Sequence, residues 1–331
     1  MATSKGTKKK APKKISKRTK KKIAKKVFGK SLGIIMLVVL LLGLVCACLY
    51  KYSEPFRDFV SDFGIITTKA PTVPPIDPNG DEMAVHFIDV GQGDSTLFQT
   101  PQGSVLIDCG EKEYGDTVVE YLRAQGVDEL EYFIITHPDS DHMGCAAYVL
   151  ENIKVKNFIM NGQQKSTQFF AKALDVIEEK NIATDIAVVG DVITLGALQL
   201  KIYGPGAELV ESEEWNDASL IIHAIYGNRS FLLTGDAEEK GEESLLENYT
   251  TELKCDVFSA GHHGSKTSNS PKLLNYAKPT YVVISCGEGN EYGHPHQAAL
   301  DVFENIGATV YRTDKEGSIV FITDGEALNK R

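Results

Sequence analysis

Phe133-Ile134-Ile135-Thr136-His137-Pro138-Asp139-Ser140-Asp141-His142-Met143-Gly144 is an apolar β-type run that ends in a loop carrying two imidazoles and two carboxylates within six residues. Nitrogen and oxygen donors of this kind suit first-row divalent cations such as zinc or manganese. With alternate residues pointing together, His137 and Asp139 can grip one ion while Asp141 and His142 reach a second. Loops that merely cap a helix also carry Asp and His, but four such side chains in six positions exceed what capping requires.

Three later segments have the same form, each at the end of a β-type run. Phe231-Leu232-Leu233-Thr234-Gly235-Asp236 delivers a carboxylate, which also fits a helix N-cap for the residues after it. Val257-Phe258-Ser259-Ala260-Gly261-His262-His263-Gly264-Ser265 delivers paired histidines flanked by glycines that permit close approach of the backbone. Tyr292-Gly293-His294-Pro295-His296 follows the run Tyr281–Ser285. Six of the eight histidines thus fall in three clusters, whereas His86 and His223 lie inside strands and read as structural residues.

From Met83 onward, short β-type runs alternate with amphipathic stretches. Strands are predicted at Ala84–Val90, Ser95–Thr100, Ser104–Asp108, Glu131–Thr136, Val155–Met160, Leu198–Tyr203, Leu220–Tyr226, Ser230–Thr234, Cys255–Ser259, Tyr281–Ser285, Thr309–Arg312 and Ser318–Thr323. Helices are predicted at Gly115–Gln125, Cys145–Glu151, Thr167–Lys180, Glu238–Asn248, Pro271–Tyr276 and Gln297–Ile306. Opening hairpins followed by β–α alternation give an α/β class, with mixed sheets covered by helices on their outer faces. No linker interrupts Met83 to Asp324, so residues 83–331 read as one domain.

The chain has 331 residues, 42% hydrophobic and 24% charged, a composition that excludes a disordered protein. Its first 30 residues hold 14 of the 35 Lys and Arg and no acid, leaving 21 basic against 45 acidic residues, a formal charge of −24, on the rest. Ser31 to Tyr50 carries no charge over 20 residues and reads as an N-terminal transmembrane helix. The lysine-rich tail before it (1–30) places the N-terminus in the cytoplasm and everything after Lys51 outside, as a single-pass anchor. Competing readings are a cleaved secretory signal and lipoprotein processing at Cys48. The tail serves as a topology determinant that contacts anionic lipid, rather than as a nucleic-acid arm. Residues 51–82, rich in Pro and Thr, read as a semi-stiff extracytoplasmic spacer.

In these motifs the sequence resembles the metallo-β-lactamase superfamily, and in particular the extracytoplasmic hydrolase domain of ComEC-like competence proteins. The marks are Phe87-Ile88-Asp89-Val90-Gly91-Gln92-Gly93-Asp94-Ser95, Leu106-Ile107-Asp108-Cys109-Gly110, the loop from His137 to His142, Asn216-Asp217-Ala218-Ser219-Leu220, Thr234-Gly235-Asp236, His262-His263-Gly264-Ser265 and Tyr292-Gly293-His294-Pro295-His296. The resemblance implies an αβ/βα sandwich with two divalent metal ions, Zn2+ or Mn2+, at one edge of the sheets. Carried over by position, His137 and Asp139 bind the first metal, Asp141, His142 and His262 bind the second, and Asp236 bridges them. Asp139 stands where the superfamily at large has histidine, and Asn216 stands nearest to a missing third histidine. Both changes make the first site richer in oxygen and favour manganese there. Asp94 and Asp108, beside tight glycine turns, orient ligands or stabilise loops.

Paired cations lower the pKa of bound water and clamp an ester or phosphate oxygen, so hydrolysis is the expected reaction. In that scheme Asp141 orients the hydroxide, and His294 or His263 serves the leaving oxygen. The resemblance implies phosphodiester hydrolysis, with DNA or a small phosphodiester as substrate, and nothing in the sequence calls for an obligate protein partner. The charge of −24 opposes a polyanion, which leaves an envelope phosphorylcholine-type esterase, a lactonase or a non-catalytic metal-binding adaptor as alternatives. Cys109, Cys145, Cys255 and Cys286 could pair in an oxidising compartment, but each lies in or beside a core strand or site loop and reads rather as a small buried hydrophobe.

Overall fold

The computed structural model describes residues 80–212 and 214–331. The basic tail, the apolar stretch 31–50 and all but the last three residues of the spacer lie outside them. Among the described residues, no helix is long and apolar enough to cross a membrane.

The strands are β1 (Met83–Phe87), β2 (Thr96–Thr100), β3 (Gly103–Ile107), β4 (Glu129–Ile135), β5 (Lys154–Met160), β6 (Ala183–Ile186), β7 (Val192–Leu195), β8 (Leu198–Gly204), β9 (Ile221–Tyr226), β10 (Arg229–Leu233), β11 (Val257–Ser259), β12 (Tyr281–Ile284), β13 (Thr309–Arg312), β14 (Ile319–Thr323) and β15 (Leu328–Lys330). One described sheet has the order β15-β14-β1-β2-β3-β4-β5-β6 and the other β13-β12-β11-β10-β9-β8-β7. The helices are α1 (Gly115–Ala124), α2 (Ser140–Met143), α3 (Ala146–Asn152), α4 (Gln168–Lys180), α5 (Ala207–Val210), α6 (Glu239–Asn248), α7 (Pro271–Ala277), α8 (Gln297–Asn305) and α9 (Thr313–Glu316).

Side chains alternate across a strand, and here both faces are buried, so the central strands read as near-continuous apolar runs. In β4, Ile134 packs between the sheets while Phe133 and Ile135 face the layer of α1, α3 and α4. In β12, Val283 packs between the sheets while Val282 and Ile284 face α7 and α8. Phe98 and Phe231 meet edge to face across the middle, with ring centroids 5.9 Å apart. The result is the αβ/βα sandwich expected from the sequence.

Every strand and helix predicted from the sequence is present, with ends displaced by no more than three residues. The strands that went unpredicted, β6, β7 and β15, are sheet edges. β6 is exposed along its whole length, so it has no buried face to impose an apolar alternation. Strands β3 to β6 run parallel to one another, as do β10 to β13. The loops after β4, β10, β11 and β12 therefore gather at the C-terminal ends of parallel strands, where such folds place their sites.

His86 and His223 are buried within strands, as expected of structural residues. His86 Nδ1 lies 3.0 Å from the Tyr121 hydroxyl, while neither ring nitrogen of His223 has a hydrogen-bond partner. Burial pushes both imidazoles down to about 4. The unfolded chain, with histidines near 6.5, then binds protons between pH 6.5 and 4 that the folded chain refuses. Stability is therefore full above pH ~6.5 and falls as pH drops towards 4, by up to about 3 kcal/mol per histidine. Thermal melts of the full chain from pH 7 to 4.5 should show this slope, and His223→Leu should flatten it. An unchanged slope in that variant rules out the assignment to His223.

Candidate metal centre

Asp108 closes β3 with φ at +58°, a left-handed turn that Asp tolerates better than most residues. Its Oδ1 accepts the Thr136 N–H at 2.8 Å, and its Oδ2 accepts the Thr136 hydroxyl at 2.7 Å. Oδ2 also lies 2.8 Å from His142 Nδ1. That contact assigns the ring proton to Nδ1 and leaves the Nε2 lone pair facing inward. His142 Nε2 is 3.1 Å from Asp236 Oδ1. His137 Nδ1 lies 3.2 Å from both the Thr136 and the Ser219 hydroxyls, and its Nε2 is 4.0 Å from Asp236 Oδ2. Ser219 Oγ also accepts the Asp236 N–H at 3.1 Å, so one hydroxyl positions two site residues.

The paired histidines both face Asp236. His263 Nε2 lies 3.1 Å from Asp141 Oδ2 and 3.7 Å from Asp236 Oδ2, and its Nδ1 lies 3.0 Å from the Ser285 carbonyl oxygen. His262 Nε2 reaches the same Asp236 oxygen at 3.7 Å, with its Nδ1 3.0 Å from Glu238 Oε1. Two consecutive side chains can meet one carboxylate only if the backbone coils tightly, and both residues hold positive φ, +50° and +54°. Such strain persists when neighbours over-determine it. Asn269 does so, accepting the Gly261 N–H at 2.8 Å and donating to the Gly261 and Ser265 carbonyls at 2.9 and 3.1 Å.

Asp141, His142, Asp236 and His263 each offer a ligand atom within 4.8 Å of the others. The buried Nε2 of His137 makes no hydrogen bond, and His142 Nε2 and Asp236 Oδ1 have no partner but each other, at 3.1 Å. Buried polar atoms are rarely left so, and lone pairs of imidazole and carboxylate converging on one space are the donor set of a divalent cation. The residues present fit the metal that the motifs imply. In the absence of a cation the acids and imidazoles of this group hold one another in their charged forms. Burial opposes charge on Asp236, but His142 and His263 outweigh it and hold the carboxyl well below its usual value. Burial likewise opposes charge on His142, and Asp236 and Asp108 outweigh it, holding that imidazole well above its usual value.

The remaining expected residues are placed as follows. Asp139, outside the four-residue group, pairs with Lys165, whose Nζ stands 5.1 Å from the Trp215 ring centroid. His294 packs its ring 5.3 Å from that of His262, and its Nδ1 lies 3.4 Å from Gln92 Nε2. Burial, followed by His263 and His262, pushes His294 down to about 4. Asp94 Oδ1 is 3.5 Å from His263 Nδ1. Gly93 lets this segment approach, because a Cβ there would stand 2.4 Å from the Asp141 carbonyl oxygen at a φ of +152°. Ser219, Glu238, Gln92 and Lys165 had no assigned role in the sequence reading. Ser219 and Gln92 lie inside quoted motifs, whereas Glu238 and Lys165 are recognisable only by their contacts.

A sandwich of this topology with a His/Asp cluster at the strand ends defines a metallo-hydrolase fold. The family described as the metallo-beta-lactamase superfamily matches residues 88–288, and the chain belongs to it. Among curated relatives, ComE operon protein 3 of Bacillus subtilis is 34% identical over 258 residues, covering 72% of this chain and 33% of its own length. Competence protein ComA of Neisseria gonorrhoeae is 31% identical over 243 residues, covering 72% of this chain and 32% of its own. The chain therefore spans about a third of the length of the curated relatives it matches. Among solved structures, the metallo-beta-lactamase fold protein YhfI from Bacillus subtilis superposes with a TM-score of 0.48 at 13% identity, over 73% of this chain and 100% of that one.

Proposed function

We propose that this protein is a membrane-anchored, extracytoplasmic, metal-dependent phosphodiesterase of the ComEC-like type that cuts DNA. The observation that supports this best is the group of Asp141, His142, Asp236 and His263, with the unsatisfied Nε2 of His137 turned into the same space. His137, Asp139, Asp141, His142, Asp236 and His262 are the residues that would hold two divalent ions, Zn2+ or Mn2+, and the geometry adds His263 to them. Such a centre supplies Lewis acidity, which lowers the pKa of water and neutralises charge developing on a phosphoryl oxygen.

The chain's own residues do the rest. Asp141, partly open to solvent and kept ionised by His263 and His142 against its burial, accepts a hydrogen bond from the attacking water and fixes its direction. The Gln92 amide donates to His294 Nδ1, which leaves the His294 N–H on Nε2, free to donate a hydrogen bond to an oxygen of the scissile phosphate. His263, braced by the Ser285 carbonyl, keeps Asp141 in place. Anchoring by residues 31–50 puts this work outside the membrane.

A second reading rests on charge. Beside the centre lies a cleft of about 1090 Å³ lined by Glu214, Asp217, Glu238, Glu239, Glu242 and Glu243 against only Lys240, Lys266 and Lys272. An acidic cleft suits a small diester with a cationic arm, as in an envelope phosphorylcholine-type ester, better than a polyanion. Metal content, and hydrolysis of linear DNA and bis-p-nitrophenyl phosphate with zinc or manganese, separate the two. DNA cleavage lost in an Asp141→Ala, His142→Ala double variant supports the nuclease. Cleavage of only the small diester moves the conclusion to the second reading, and bound metal without either activity overturns both.

A further inference from the structure

We propose that Cys109 and Cys145 are a disulfide-forming pair that fastens together the two segments carrying Asp108 and His142. All four described cysteines are buried free thiols, but these two share the core behind the first sheet, whereas Cys255 and Cys286 belong to the core behind the second. Cys145 Sγ sits 2.9 Å from the Cys109 carbonyl oxygen, and Cys109 Sγ donates to the His142 carbonyl at 3.4 Å. The backbones are already laid side by side, because the Cys109 N–H donates to the His142 carbonyl at 2.8 Å and the Cys145 N–H to the Gly110 carbonyl at 3.2 Å. A disulfide needs its two Cα atoms within roughly 4.4–6.8 Å. The hydrogen bonds between the two segments hold the cysteines side by side, the arrangement such a bond requires.

The bond has a consequence because of where its ends fall. Cys109 follows Asp108, whose carboxylate orients His142, and Cys145 lies three residues beyond His142. A covalent link there closes the chain from 109 to 145 and holds both members of that pair in register.

The oxidant is a small-molecule disulfide. One thiolate attacks it, displacing one small thiol and forming a mixed disulfide; the second cysteine attacks that sulfur, displacing the other small thiol. Both cysteines lose their hydrogens, the S–S bond of the oxidant is replaced by the Cys109–Cys145 bond, and two electrons pass to the two small thiols released.

The test uses the full chain, exposed to oxidised glutathione or to dithiothreitol, alkylated, digested and mapped by mass spectrometry, with the melting temperature followed in parallel. After oxidation, the peptides of Cys109 and Cys145 should be joined and lighter by two hydrogens, and the melting temperature should rise by roughly 5–10 °C, returning with dithiothreitol. Cys145→Ala should lose both effects, while Cys255→Ala keeps both. Full alkylation of Cys109 and Cys145 after oxidant, or their pairing with other cysteines instead, overturns the proposal. Neither readout depends on metal or turnover.

Discussion

Asp236→Asn is expected to lower kcat/KM towards a phosphodiester by ~10³-fold or more, about 4 kcal/mol of transition-state stabilisation, while the protein stays folded. Asp236 is the side chain on which the centre converges, within 4.0 Å of nitrogens from His137, His142, His262 and His263. The amide keeps the shape but halves the acceptor capacity and removes the charge that the imidazoles face. It also carries a donor into a space lined by ring nitrogens, where a cation would otherwise sit. Steady-state kinetics, metal content and a melting curve on the same preparation decide the matter. Activity within tenfold of the parent, at equal metal content, removes Asp236 from the centre.

Asp108→Asn should act one step further out and weaken metal binding by ~10–100-fold, the usual cost of losing the partner that orients a ligating histidine. Asn is the informative replacement because Asp108 holds a positive φ that Asn tolerates, whereas alanine there would add backbone strain. In the parent, three donors converge on this carboxylate, two from Thr136 and one from His142. The amide cannot accept from all of them, so His142 loses the contact that fixes its tautomer. Chelator competition reads the change directly, and saturating metal should restore much of the rate. An affinity equal to the parent's shows that Thr136 and the fold hold His142 unaided.

The mixed α/β layering and the place of the chemistry were legible in the residues, and the αβ/βα sandwich followed from the family resemblance. Runs such as Phe133–Ile135 and Phe231–Leu233 are apolar on consecutive positions because both strand faces are buried, and that pattern is local and legible. The His and Asp clusters follow such runs directly, so a site built at strand ends could be inferred without coordinates, whereas the parallel pairing could not. Edge strands β6, β7 and β15 escaped because their pairing is set by a neighbour rather than by burial of their own side chains.

Tertiary structure alone decided which of the clustered side chains meet. Spacing could not tell His262 from His263: adjacent residues usually point apart, and only the positive φ of both, held by Asn269, turns both rings towards Asp236 while placing His263 against Asp141. Nor could it show that Asp139 turns to Lys165, since that lysine lies 26 positions away. The same holds for Ser219 and His137, 82 positions apart and joined by one hydroxyl. Periodicity reports the environment of a single element, whereas a ligand set depends on directions that several elements impose on one another. Those directions exist only once the two sheets have packed.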